Sequence, residues 1–320
     1  MNRDFIRRSL LVVSPLDRPA VESAWTHDSD AVVVDLAALA PEARPEARPL
    51  VRDDAPVLGR GGAHVLVRAA ADSLHADVDA AVWHGVAGVL VSYPEGVAAV
   101  REAQEAIAEA ERRHGVEPGT MEIGVILGTP KGLLHIRDIL TASPRVTMAA
   151  LDERRLARAM DLHVQPDWDP FKYYVRGRFI TETASLDRAL YGPYGVHRIG
   201  IGFPLSCLAG AEASDGEVHG AAKWARDLGM NGALCPHPSW VATCNRAFTP
   251  TDGEIENHRR LHEAYVAGVA QGRGAVPLGG GRFVERPQDE LAKAMIAFRH
   301  RCDERDAEKA AAVARARRSI

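Results

Sequence analysis

The sequence predicts an α/β fold of the (β/α)8 TIM barrel type, with a helical segment at its C-terminal end. Two observations lead there. Eight short apolar runs rich in β-branched residues recur along the chain, and near-continuous apolar runs mark strands buried on both faces, as in parallel sheets. Longer Ala-rich segments of helical character separate them, over a stretch of about 240 residues that suits eight β-α units. The competing doubly wound sheet calls for a glycine-rich phosphate turn after its first strand, and here that turn reads SPLDRP.

Taken in order, the predicted strands are residues 9–14 (SLLVVS), 30–36 (DAVVVDL), 64–69 (HVLVRA), 87–93 (AGVLVSY), 122–128 (EIGVILG), 145–151 (RVTMAAL), 197–203 (HRIGIGF) and 232–237 (GALCPH). The clearest helices between them are 94–115, with proline near its start and glycine at its end, and 216–229. The Pro-rich direct repeat PEARPEARP at 41–49 reads as a loop. After HPSW the pattern changes. Residues 248–274 open on a capping signal and read as a helix to about Gln271. A Gly-rich turn, GRGAVPLGGGRFVERP, follows, and a last helix begins at Gln288. Residues 1–245 are therefore expected to form the barrel, and 246–320 a helical lid segment able to cover a barrel mouth, its own or a neighbour's.

Composition narrows the function classes. The 320 residues carry 39 basic and 43 acidic side chains, a net charge of −4, with no positive excess to attract nucleic acid. The apolar runs are too short to span a bilayer, and the basic, briefly apolar start MNRDFIRRSLLVVS leads into PLDRP rather than a cleavage site, so no signal peptide is expected. The four cysteines form no CxxC pair, which fits reduced, buried thiols and a cytoplasmic location.

In a barrel of this type the reactive groups sit at the C-terminal ends of the strands. Those ends supply Asp17 and Arg18, then Asp35, Arg68, Tyr93, and the Gly128-Thr129 turn with Lys131. Asp152 and Glu153, Phe203 to Ser206, and His237 complete the series. Such a set suits an anionic, carboxylate-bearing ligand, because guanidinium presents a planar fork to carboxylate oxygens. Local roles compete at each position. Arg68 can pair with Asp35, Asp17 and Arg18 can open a helix, His237 between two prolines can bond backbone, and Asp152 and Glu153 suit a helix start.

The segments RRSLLVVSPLDRPAV, DAVVVDLAALAPEARPEAR, VLVRAA and LCPHPSWVATCNRAFTPTDGEIENHRRLHEAY, the last followed by GRGAVPLGGGRFVERP, together resemble the citrate lyase beta subunit and malyl-coenzyme A lyase family of the aldolase/citrate lyase superfamily. The resemblance spans nearly the whole chain. It implies a (β/α)8 barrel with a C-terminal helical lid, a homo-oligomer (trimer or dimer of trimers), and cleavage or formation of carbon–carbon bonds in acyl thioesters with Mg2+. Coenzyme A would be part of the substrate. Position by position, Arg68 falls on the family's substrate-carboxylate arginine, and Asp17, Arg18 and Asp35 also match. The Glu-Thr-Ala-x-Gly turn that carries one Mg2+ ligand becomes Gly128-Thr129-Pro130-Lys131-Gly132 here, and the metal-binding Asp of the Gly-x-x-Asp-Leu-Ala turn becomes Arg155. Ala37 and Ala38 replace the end of the Asp-Leu-Glu-Asp box, Ala70 an Asn, and Tyr93 a Lys, while Glu285 keeps a carboxylate in the C-terminal segment.

Mg2+ requires carboxylate oxygens that Gly128 and Arg155 cannot supply, so Asp152 and Glu153 remain as substitutes. The expected function is a divergent carbon–carbon lyase acting on a small carboxylate or acyl-coenzyme A thioester through enolate stabilisation. Arg68, Arg155 and Glu285 would carry the chemistry, with Asp17, Arg18, Asp35, Thr129, Lys131 and His237 binding substrate. The alternatives are a non-catalytic ligand-binding or scaffold protein, and a metal-independent thioester hydrolase.

Overall fold

The eight apolar runs form parallel strands β1 (Ser9–Val13), β2 (Ala31–Asp35), β3 (His64–Ala69), β4 (Val86–Ser92), β5 (Glu122–Leu127), β6 (Val146–Leu151), β7 (Gly200–Pro204) and β8 (Gly232–Cys235). They pair in chain order, and β8 closes on β1 with Leu10 opposite Leu234. The structure is a computed structural model describing residues 6–161, 170–191, 200–204, 213–280 and 282–318. Ser206 and Cys207, at and beyond the predicted end of strand seven, lie outside the described residues.

The period of two along each strand decides which side chains meet inside the ring. Leu10, Ala31, Val33, Leu66, Leu90, Ile126, Met148, Ala150 and Leu234 form a cluster of their own. The intervening Leu11, Val32, Val34, Val65 and Val67 join the larger core shared with the helices. Continued upward, the inward series reaches Asp35, Arg68, Ser92 and Asp152 at the mouth. Continued downward, it reaches His64 and Glu122 at the opposite end.

The connecting helices are α1 (Arg18–Ser23), α2 (Arg44–Leu58), α3 (Leu74–Ala81), α4 (Val97–His114), α5 (Pro130–Leu134), α6 (Ile136–Thr141), α7 (Glu153–Ala159), α8 (Pro170–Tyr191) and α9 (Asp215–Asp227). After β8 comes α10 (Val241–Phe248), which packs on β1, β8 and α9 as the eighth barrel helix and runs through residue 246. The appendage then starts at a capping box between Thr251 and Glu254 and holds α11 (Asp252–Ala270) and α12 (Arg286–Arg318). Among the described residues no helix is long and apolar enough to cross a membrane.

Two segments depart from the sequence reading. PEARPEARP is a loop only to Ala43, because α2 begins at Arg44 with Pro45 in its first turn, where no N–H partner is needed. Arg44 is buried, bonded to the Leu39 carbonyl and to Asp72, which fixes the helix start. The Gly-rich turn is an antiparallel hairpin, β9 (Ala275–Gly279) and β10 (Arg282–Glu285). Val276 and Val284 face each other across it and are both buried, so two apolar side chains turn a supposed loop into a sheet. Gly268 of α11 makes room for this, since a Cβ there would meet Val276 Cγ2 at 2.0 Å.

Helix α12 meets the N-terminal end of its own barrel, opposite the strand ends that carry the candidate site. Arg8, just before β1, bonds Asp30 through its backbone N–H and Nε, each at 2.8 Å to Oδ2, and also pairs with Asp306 of α12. Lys309 Nζ lies 2.8 Å from Asp30 Oδ1, and Arg305 Nη2 donates to the carbonyls of Asp30 at 2.8 Å and Gly62 at 2.7 Å. Arg8, Asp30 and Lys309 are at most 1% exposed. Burial alone would raise the Asp30 carboxyl, but Arg8 and Lys309 hold it down at about 2. At the same end Arg7 pairs with Glu122, and burial with the nearby Arg7 and Arg305 charges lowers His64 to about 3.

Candidate active site at the barrel mouth

Arg68 organises the mouth. From the end of β3 its Nη1 donates to Asp35 Oδ2 at 2.9 Å, its Nε to Ser92 Oγ at 3.1 Å and its Nη2 to the Tyr93 hydroxyl at 2.6 Å. Asp35 is fixed in turn by accepting from the Ala38 N–H at 3.0 Å. Burial opposes the charge on Arg68, yet Asp35, together with Tyr93 and Asp152, more than offsets it and raises the guanidinium's pKa. A guanidinium carries five N–H donors. Among the described residues three are engaged, which leaves two for a ligand.

Tyr93 is the pivot between β3 and β6. Its hydroxyl accepts from Arg68 and donates to Asp152 Oδ2 at 2.8 Å. Its backbone is left-handed, at φ 57°, an uncommon conformation for a bulky residue. Burial pushes the phenol up to about 12, with Arg68 opposing and Asp152 adding, so the group is a neutral hydrogen-bond donor at neutral pH. The Arg155 guanidinium stacks 4.0 Å from the Tyr93 ring centroid, and that of Arg68 lies 5.3 Å away. Gly128 allows this packing. A Cβ at Gly128 would meet Tyr93 Cδ1 and Cε1 at 2.6 Å and Arg155 Cδ at 3.1 Å. Beside the pair opens a cleft of about 560 Å³ lined by Tyr93, Asp152, Arg154, Arg155, Arg158 and Ala159.

The structure thus brings together Asp35, Arg68, Gly128, Asp152 and Arg155 from the sequence-predicted set. It adds Ser92, which the sequence reading did not name, and gives Tyr93, read there only as the end of strand four, a place between Arg68 and Asp152. Ser92 was accessible from the two-residue period. The orientation of Tyr93 was not, because its left-handed backbone breaks that period and turns an outward position back over the mouth.

The other predicted residues are engaged elsewhere. Arg18 forms a bidentate pair with the buried Asp54 of α2, at 2.6 and 2.8 Å. Asp17 caps α1 by accepting from the Ala20 N–H, and Thr129 caps α5 by accepting from Gly132. Lys131 is exposed, 3.6 Å from Glu95. His237 packs edge-on against Trp240, with ring centroids 5.2 Å apart. Glu153 is buried in a two-contact pair with Arg176 of α8. Glu285 is exposed on β10, in a hairpin that packs on α11 and α12.

Fold and site define a (β/α)8 barrel with a guanidinium-centred mouth. The sequence profile of the HpcH/HpaI aldolase/citrate lyase family matches residues 8–186, more than half of the chain, and the protein belongs to that family. It is 24% identical over 294 residues to the citrate lyase subunit beta of Leuconostoc mesenteroides subsp. cremoris, covering 90% of this chain and 91% of the relative. To the L-malyl-CoA/beta-methylmalyl-CoA lyase of Cereibacter sphaeroides it is 25% identical over 218 residues, 63% of this chain and 64% of that protein. Among solved structures, protein CitE from Mycobacterium tuberculosis in complex with magnesium, acetoacetate and coenzyme A superimposes with a TM-score of 0.69 at 17% identity, over 93% of this chain and 99% of that one. A citrate lyase from Burkholderia xenovorans LB400 gives 0.72 at 14% identity, over 94% and 95%. At those identities the likeness is one of fold.

The residues present do not fit a carboxylate-held Mg2+. Tyr93 and Arg155 occupy the space into which a longer side chain at position 128 would project. Asp152 is the one carboxylate lining the cleft among the described residues. Nor do the described residues include any group of three or more His, Cys, Asp or Glu side chains able to hold a metal ion.

Proposed function

We propose that this chain is a divergent carbon–carbon lyase of the citrate lyase beta subunit and malyl-coenzyme A lyase type, acting on a small carboxylate or its coenzyme A thioester. The observation that carries the reading is Arg68, held at the mouth by Asp35, Ser92 and Tyr93 with two N–H donors unengaged. Those donors match the two oxygens of a ligand carboxylate. The names of its relatives, citrate lyase subunit beta and malyl-CoA lyase, support the reaction class.

Cleavage of a β-hydroxyacyl thioester removes the hydroxyl proton, breaks the bond between the α and β carbons, and leaves a carbonyl product and a thioester enolate. The enolate then takes up a proton at carbon. Its negative charge requires a fixed positive partner, and Arg155, stacked on Tyr93, supplies one. Glu285 would exchange the proton from a second copy of the chain in a homotrimer or hexamer.

A specific observation favours a second reading. Tyr93 and Arg155 fill the space over Gly128, which suits a protein that binds such ligands without turning them over. Incubation with malyl- and citramalyl-type coenzyme A thioesters, in Mg2+ and in chelator, separates the readings. Release of carbonyl product that persists in chelator is expected. Turnover abolished by chelation would remove the role given to Arg155, calorimetric binding without turnover would establish the second reading, and no binding of any thioester would remove both.

A further inference from the structure

We propose that the cleft beside α7 is a second anion subsite, taking a carboxylate or phosphate group of a ligand whose first carboxylate rests on Arg68; the inference builds on the Arg68 reading above. Arg155 and Arg158, beside an Arg154 that has a partner of its own, line a cleft of about 560 Å³ with a single carboxylate among its described lining residues. Like charges three and four residues apart on a helix repel. Among the described residues, no acidic side chain lies within ion-pair distance of Arg155 or Arg158. Two of the acids beside them in sequence are committed elsewhere, and Asp161 forms no ion pair with Arg158 among the described residues. Glu153 is paired with Arg176, and Asp152 accepts from the Arg155 N–H at 3.0 Å and from the Tyr93 hydroxyl. An anion from outside the chain would complete this charge set.

Arg155 is also prepared for such a partner. Stacking on Tyr93 fixes the plane of its guanidinium, and Tyr93 is itself held at its hydroxyl from two sides. A stacked guanidinium keeps its N–H edge available for bidentate bonding, so less freedom is lost when an anion binds. Both Arg68 and Arg155 lie against the same tyrosine ring, at 5.3 and 4.0 Å, so one small molecule with two acid groups can reach both. The substrate class that follows is a dianion, a dicarboxylate or a phosphorylated carboxylate, bound by guanidinium groups.

Calorimetric titration of the full chain in chelator with propionate, succinate and pyrophosphate tests this. A charge-assisted contact of the usual strength makes succinate bind about 10- to 100-fold more tightly than propionate. Arg155→Gln and Arg158→Gln should each remove most of that gain, Arg158→Gln leaving propionate affinity within about twofold, whereas Arg68→Gln should weaken both carboxylates. Pyrophosphate binding more tightly than succinate, and lost in the same α7 variants, assigns the subsite to phosphate; the reverse order assigns it to carboxylate. Arg158 is exposed, so its substitution should keep the melting temperature within about 2 °C and separate lost binding from lost folding. Equal affinity for propionate and succinate, a gain that survives both α7 substitutions, or a gain that arises only when Mg2+ replaces chelator would overturn the subsite. These outcomes are independent of thioester turnover, so failure of the subsite and failure of the lyase reading are read separately.

Discussion

The two ends of this barrel use the same residue types to opposite ends. At the N-terminal rim, Arg8, Asp30, Arg305, Asp306 and Lys309 form a network in which every cation faces an acid or a backbone carbonyl, and Arg8, Asp30 and Lys309 are shut away from water. At the C-terminal mouth, Arg155 and Arg158 are exposed beside a cleft with one carboxylate among its described lining residues. A buried, charge-paired network serves architecture, since removing a shared charge strands its partners. A fixed guanidinium with N–H donors to spare is a recognition element. What separates structure from function here is the completeness of the pairing, not the kind of residue.

The sharpest way to break the comparison is Asp30→Ala. It leaves Arg8 and Lys309 buried without their shared acid and should cost about 3–5 kcal/mol, seen as a melting temperature lower by about 10 °C. The wild-type chain should show the same dependence through pH. Asp30 titrates at about 2 in the folded state against 3.8 ordinarily. Its contribution is therefore complete above about pH 4 and is lost as pH falls toward 2. His64, lowered from 6.5 to about 3, adds a loss between those two values, because the unfolded chain takes up a proton that the folded one excludes. A melting temperature that stays flat from pH 6 to 2 would remove this account of the lower rim.

A smaller effect is expected at the mouth. Gly128→Ala should destabilise by about 1–3 kcal/mol through overpacking against the Tyr93 ring, and Tyr93→Ala in the same chain should relieve most of that loss. Denaturant titration of the single and double variants gives the coupling directly. Additive effects would mean that the ring does not occupy the space over Gly128. The smallest change is Tyr93→Phe, which removes only the hydroxyl between Arg68 and Asp152. It should cost about 1 kcal/mol of stability and about fivefold in calorimetric affinity for a ligand carboxylate.

Much of the fold was legible because a buried parallel strand writes itself as an apolar run, and all eight runs became strands. The hairpin at 275–285 escaped because its apolar signal is two valines among glycines and prolines. Arg68, Asp35 and Asp152 could be read from strand ends. The fate of Arg18 and Glu153 could not, since their partners Asp54 and Arg176 are 36 and 23 residues away and meet them only through helix packing. The stacking of Tyr93 under Arg155 depends on one positive φ and one missing Cβ, neither of which any spacing rule signals. Gly128 seen as a lost acid and Gly128 seen as room for a ring are the same letter in the sequence.

The link between Arg8 and Asp306 spans 298 residues, and this bears on how the chain reaches its final form. Neighbouring strands from β2 to β6 can associate as they leave the ribosome, each requiring only its predecessor. The first strand has to wait for both the eighth strand and the last helix before its charged flank is enclosed. Among the described elements, the enclosure of β1 is therefore complete only once α12 has packed against its charged flank.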